Sequence, residues 1–187
     1  MKVTILQKGG RKNHEVLDEA TRFYASKLMS TRMMNTLNLR IEVRSTILPK
    51  NWAGSCSAKV NGSQSTKDFT IVLQRDHTLG EQLKTLAHEV VHVWQKARNT
   101  LQYRLWKSDN QVHVRWNGRE MGTQPEIPYY DRPWEKEAFF LEEHLFELYK
   151  SIYAEENHKI PQLEQNLQKA IRCVTRSREK EMEAELS

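Results

Sequence analysis

The sequence predicts an α+β fold, on three observations. Apolar residues recur at helical spacing in several long segments, short stretches between them alternate apolar and polar, and two Asn-Gly pairs mark tight hairpin turns. The expected architecture is a small antiparallel or mixed sheet packed on one central helix and flanked by further helices.

Each element has its own signal. Residues 14 to 29 read as a helix, with Val16, Leu17, Ala20, Phe23, Tyr24 and Leu28 in helical phase and Asn13 placed to cap it. Leu39, Ile41 and Val43 alternate with Arg40, Glu42 and Arg44, the pattern of a half-buried strand. After Pro49, the segment around Asn61-Gly62 predicts a hairpin leading into a strand that shares Phe69, Ile71 and Leu73 on one face. A helix follows from about Leu79 to Arg98. Asn117-Gly118 predicts a second hairpin over about residues 111–122. Three prolines between Pro125 and Pro133 force irregular backbone, and Pro133 suits the first turn of a long helix to about Tyr153. Leu163, Leu167, Ile171 and Val174 predict a last helix that ends in an exposed or frayed charged tail from Ser177. Residues 1–158 are expected to form the domain, with 159–187 as a C-terminal helix and tail.

Bulk properties narrow the classes. At 187 residues, 38% hydrophobic and 28% charged, the chain suits one domain with a real core. A spanning helix needs about 18 apolar residues and a signal peptide roughly 7–15, so the four-residue apolar run Val3 to Leu6 predicts neither. Cys56 and Cys173 form no C-x-x-C pattern, which points to a reducing cytoplasm. The net charge is +5. A basic stretch from Lys96 to Arg119 interleaves with Tyr103, Trp106 and Trp116, a composition that suits a nucleic-acid surface, although solvated faces and core rings would look the same.

The chemistry sits in "TLAHEVVHVWQ", residues 85–95. On a helix, His88 and His92 project from one face a turn apart and can both reach one ion. Glu89 lies about 100° round the helix, outside ligand reach but able to take a proton from a water on the metal. Leu83, Leu86, Ala87, Val90, Trp94 and Ala97 form an apolar stripe, and the histidines fall off it, on a face with Glu81, Thr85 and Gln95. That offset predicts a zinc-type HExxH site facing a cleft. A catalytic zinc keeps three protein ligands. The residues alone leave the third open among Glu135, Glu137 and His113.

The run from "TILPKNWAGSCSAKVNG" through "TIVLQRDHT" to "LKTLAHEVVHVWQ" resembles the SprT-like zinc metallopeptidases, over roughly residues 14 to 155 and most specifically at "HEVVH". The resemblance implies a zincin-like fold. In that family a histidine in an H-G context usually completes the site, and "NQVHVRW" around His113 lacks that context. "PWEKEAF" instead resembles the glutamate motif of zincins with an acidic third ligand, where the ligand stands three residues before the alanine; from Ala138 this implies Glu135.

The expected function is therefore a zinc metallopeptidase. His88, His92 and Glu135 would bind Zn2+, Glu89 would act as general base, and a protein or peptide would be the substrate. The SprT-like resemblance adds DNA-associated proteins as candidate substrates, and a narrowly specific regulatory protease fits the same site. The alternative is a non-catalytic, zinc-braced module binding DNA or protein. Tyr129, Tyr130 and His113 are candidate oxyanion donors, whereas the Glu142-Glu143-His144 cluster reads as solvated helix surface.

Overall fold

The computed structural model describes residues 1–7, 13–45, 53–58, 67–106 and 110–183. Its main sheet is mixed and four-stranded. Strands β1 (Lys2–Gln7), β2 (Asn38–Arg44) and β4 (Asp68–Gln74) are parallel neighbours, and β3 (Gly54–Ala58) adds to β4 antiparallel, in the order β1-β2-β4-β3. The register places Leu39 beside Phe69, Ile41 beside Ile71 and Val43 beside Leu73, so the alternating residues of both strands share one buried face. On the opposite face, Glu42 is buried rather than solvated, because Arg40 and Arg44 both close over its carboxylate. The Asn61-Gly62 turn lies outside the described residues. β1, placed where only a short apolar run was noted, alternates half-buried Val3 and Ile5 with exposed Lys2, Thr4 and Leu6.

Helix α1 (His14–Leu28) connects β1 towards β2 and buries Leu17, Ala20, Tyr24 and Leu28; a short helix, α2 (Thr31–Met34), follows. Asn13 precedes α1 in a left-handed conformation, φ 70°, and makes no side-chain cap. Helix α3 (Leu79–Ala97) begins in a capping box. The Thr78 hydroxyl accepts from the Glu81 amide at 3.3 Å, and the Glu81 carboxylate accepts from the Thr78 amide at 2.7 Å.

A second sheet is three-stranded and antiparallel: β5 (Leu101–Trp106), β6 (Gln111–Trp116) and β7 (Arg119–Thr123). The β6–β7 turn is the expected Asn117-Gly118, with φ of 49° and 89°; both positive values suit a two-residue hairpin turn. The hairpin signal did not extend to β5, whose half-buried Tyr103 and exposed Leu105 alternate too weakly. Leu101, Val114 and Trp116 form a small core with Trp134, the first large residue of α4 (Pro133–Tyr153). Helix α5 (Ile160–Glu183) lies against α4 and buries Leu167 and Ala170 in the main core. It continues helically beyond Ser177, where a frayed tail was expected, and Arg178 is buried.

No helix among the described residues is long and apolar enough to cross a membrane.

Candidate metal centre

The central helix is buried all round at its middle. Residues Leu86 through Gln95 are each buried, so the apolar stripe is not a boundary between core and open cleft. The sheet, α1 and α4 all pack on α3, and α4 meets the face that carries the histidines. What α4 presents to that face is carboxylate.

Three ligand atoms converge there. His88 Nε2 lies 3.1 Å from His92 Nε2, and each lies 3.2 Å from Glu135 Oε2. Zinc held at about 2.0–2.1 Å in a tetrahedral site puts its ligand atoms roughly 3.3–3.4 Å apart, so this near-equilateral triangle is the right size for one ion. His88, His92 and Glu135 form a cluster that could hold a metal ion.

The far side of each imidazole is also held. His88 Nδ1–H donates to Glu142 Oε2 at 2.7 Å, and His92 Nδ1–H donates to Gln95 Oε1 at 2.8 Å. With Nδ1 held in this way, Nε2 is the atom turned towards the other ligands, where a metal ion would take the place of a proton, which is how metal-binding histidines are commonly oriented. Glu142 is thus a partner of His88 and not the solvated surface residue its neighbours suggested. Its signal was available, since Glu135, Phe139 and Glu142 share a helix face. Phe139 packs its ring 4.8 Å from that of His88.

The other two candidates for third ligand lie elsewhere. Glu137 is buried against Arg178 of α5, which grips both its carboxylate oxygens. His113 stands on β6, stacked on Trp106 at 4.1 Å, outside the cluster.

Electrostatics within the cluster favour a cation. Burial lowers the His88 pKa, yet its hydrogen bonds to Glu135 and Glu142 more than reverse this and raise it to about 10. Burial pushes Glu135 up, but the two histidines hold it well below the usual carboxylate range. Glu89 is buried beside them, and burial raises its pKa against the opposing pull of His92, His88 and Lys96. Its Oε2 is buried with no hydrogen-bond partner.

No family model, curated protein or solved structure matches the chain.

The neighbouring tyrosines divide. Tyr129 hydrogen-bonds to Glu135; burial and that carboxylate raise its pKa. Tyr103, which the sequence placed only in the basic aromatic stretch, is likewise raised by burial and by the Glu135 charge. Tyr130 is exposed and stacks on Phe139. Among the rings of the basic stretch, Trp116 is core and Tyr103 is half-buried under Lys96, leaving Trp106 as the exposed one.

Proposed function

We propose that the protein is a zinc-dependent peptidase of zincin type, akin to the SprT-like enzymes its sequence resembles. The observation that carries this reading is the pairing of a three-ligand cluster with a buried carboxylate, Glu89, whose Oε2 has no protein partner. A site that only braces a fold is normally closed by a fourth protein ligand and has no use for such a base. Two imidazoles and one carboxylate can hold zinc or ferrous iron, and the HExxH spacing that sets Glu89 beside the ligands favours zinc.

When bound, zinc would polarise a peptide carbonyl and lower the pKa of a water at the centre. The chain's own residues would do the rest. His88, His92 and Glu135 hold the ion, and Glu142 and Gln95 hold the two imidazoles. Glu89 Oε2 accepts a proton from the attacking water. Burial has moved its pKa up from the ordinary carboxylate range, towards the pH at which it can also hand that proton to the leaving amine. Tyr103 stays protonated through neutral pH and can donate to the oxygen on which negative charge develops, while the Tyr129 hydroxyl is engaged with Glu135. The exposed rings of Tyr130 and Phe139 stand at the rim beside His88, where a substrate side chain would pass.

The test is metal content and turnover together. The purified protein should carry one zinc, and Glu135→Ala should lose it. Glu89→Gln should keep the zinc and lose peptide hydrolysis. Hydrolysis by Glu89→Gln at the wild-type rate would refute the mechanism, and a wild type that takes up no zinc would refute the centre.

A DNA-associated substrate is favoured by one further observation. Arg104 pairs with His113 and Gln102 with Arg115 across β5 and β6, so Arg104, Trp106, His113 and Arg115 share one face of the small sheet. Such a face offers phosphate contacts beside an exposed ring. Binding of single-stranded DNA that falls steeply with added salt is expected, and binding indifferent to salt would discard this part.

A further inference from the structure

Glu137 stands two residues from the ligand Glu135, yet it points its carboxylate the other way, into a buried pair with Arg178. We infer that Arg178, near the end of the C-terminal helix, is a positioning residue for the metal centre, acting through Glu137 and Gln95 on His92. The inference rests on the metal-binding reading above.

The contacts form one continuous buried path. The Arg178 guanidinium donates to both oxygens of Glu137, from Nε at 2.9 Å and from Nη2 in a short contact. Glu137 Oε1 accepts from Gln95 Nε2 at 3.0 Å. Gln95 Oε1 accepts from His92 Nδ1 at 2.8 Å. Arg178, Glu137, Gln95 and His92 are all buried. The guanidinium is also clamped by two rings, 4.5 Å from the Trp94 ring and 5.4 Å from that of Trp116. It therefore joins α5, α3, α4 and the small sheet at one point.

The path carries a chemical instruction and not only packing. A glutamine amide has a donor end and an acceptor end, and its neighbours decide which way round it sits. Here the Trp134 carbonyl, at 3.0 Å, and the Glu137 carboxylate are both acceptors, so they hold the Nε2 end of Gln95. Oε1 must then face His92. An acceptor at Nδ1 keeps the imidazole proton there and leaves Nε2 bare for a metal. Turned the other way, Gln95 would present a donor to Nδ1 and drive the proton onto Nε2, where it blocks the ligand atom.

Arg178 matters because Glu137 cannot remain charged and buried alone. Without the guanidinium, nothing grips the two Glu137 oxygens, and the carboxylate is free to turn away from Gln95 Nε2. That turn removes one of the two acceptors that orient the Gln95 amide and so loosens the group that sets the His92 tautomer. The end of α5 thus governs the metal affinity of a centre whose own residues all lie on α3 and α4.

The experiment compares full-length wild type with Arg178→Gln and Arg178→Lys. Zinc affinity is read by competition with a chromophoric chelator, ligand geometry by the visible spectrum of the cobalt-substituted protein, and stability by thermal melting without metal. Arg178→Gln is expected to bind zinc about 10–100-fold more weakly, the usual loss when an outer partner of a metal ligand is removed, with an altered cobalt spectrum. Arg178→Lys keeps the charge without the two-pronged fork and should lose less. It also carries the test if Arg178→Gln does not fold. Variants that melt lower but bind zinc as tightly as wild type, with an unchanged cobalt spectrum, would make Arg178 a packing residue and overturn the inference alone. A wild type without metal affinity overturns the centre, and the inference with it.

Discussion

Gly54 is where the sheet touches the helix that carries the candidate base. A Cβ placed on Gly54 would lie 2.5 Å from Thr85 Cγ2, 3.1 Å from Glu89 Oε1 and 3.2 Å from the Val72 carbonyl oxygen. Carbon atoms in good contact sit about 3.5–4.0 Å apart, so Gly54→Ala demands a shift of roughly 1 Å at Thr85 alone. Thr85 cannot swing away easily, because a β-branched side chain on a helix is nearly confined to few χ1 values. Overpacking of this kind typically costs about 1–3 kcal/mol. Replacing glycine in a strand returns about 0.4–1 kcal/mol by restricting the unfolded chain. The net expectation is about 1–2 kcal/mol of destabilisation, which for a chain of this size lowers Tm by roughly 2–8 °C. Thr85→Ser removes the Cγ2 that makes the worst contact. The double variant Gly54→Ala/Thr85→Ser should therefore recover most of the lost Tm, as measured by calorimetry on all four proteins. Peptide hydrolysis should not recover in parallel, since the contact with Glu89 Oε1 persists. A Gly54→Ala protein that melts with the wild type, or a double variant that recovers nothing, would refute the close approach of β3 to α3.

Two further outcomes follow from side-chain environments. Glu142→Ala should weaken zinc binding by about 10–100-fold while leaving Tm without metal little changed, because it frees His88 Nδ1 at the edge of the site; unaltered affinity in chelator competition would return Glu142 to the role of surface residue. Burial pushes the Cys56 thiol from 9.0 up to about 11, against the opposing Lys96 charge, whereas Cys173 is exposed. At pH 8 the Cys56 thiolate population is then roughly 100-fold below that of an ordinary thiol, so iodoacetamide should modify Cys173 first and Cys56 only as pH rises towards 11. Peptide mapping that finds both labelled at equal rates at pH 8 would contradict that burial.

Periodicity alone determined a good part of this protein. The spacing of His88, Glu89 and His92 is a property of one helical turn, and helix α3 formed where its apolar phase and Thr78–Glu81 box required it. Likewise Leu39, Ile41 and Val43, or Phe69, Ile71 and Leu73, need only the two-residue alternation of a strand, and Asn117-Gly118 needs only two positive φ angles. These are interactions among residues close in the chain, which is why they are legible in it.

Which carboxylate completes the cluster was not a local matter. Glu135 and Glu137 are two residues apart on α4, both acidic and both buried, and helix phase did not separate them. The choice is made by Arg178, 41 residues further on, which occupies Glu137 and leaves Glu135 to the histidines. The same holds for Glu142 and Gln95, which look like ordinary surface polar residues until α4 is laid across α3. The charge-rich end of α5 looked like a tail because nothing near it in the chain could bury it; Trp94, Trp116 and Glu137 do so only in the folded molecule. Local patterning thus determined the elements and the histidine pair. The packing of α4 and α5 against α3 decided which charges meet, because a buried charge goes where a partner waits for it, and that partner can lie anywhere along the chain.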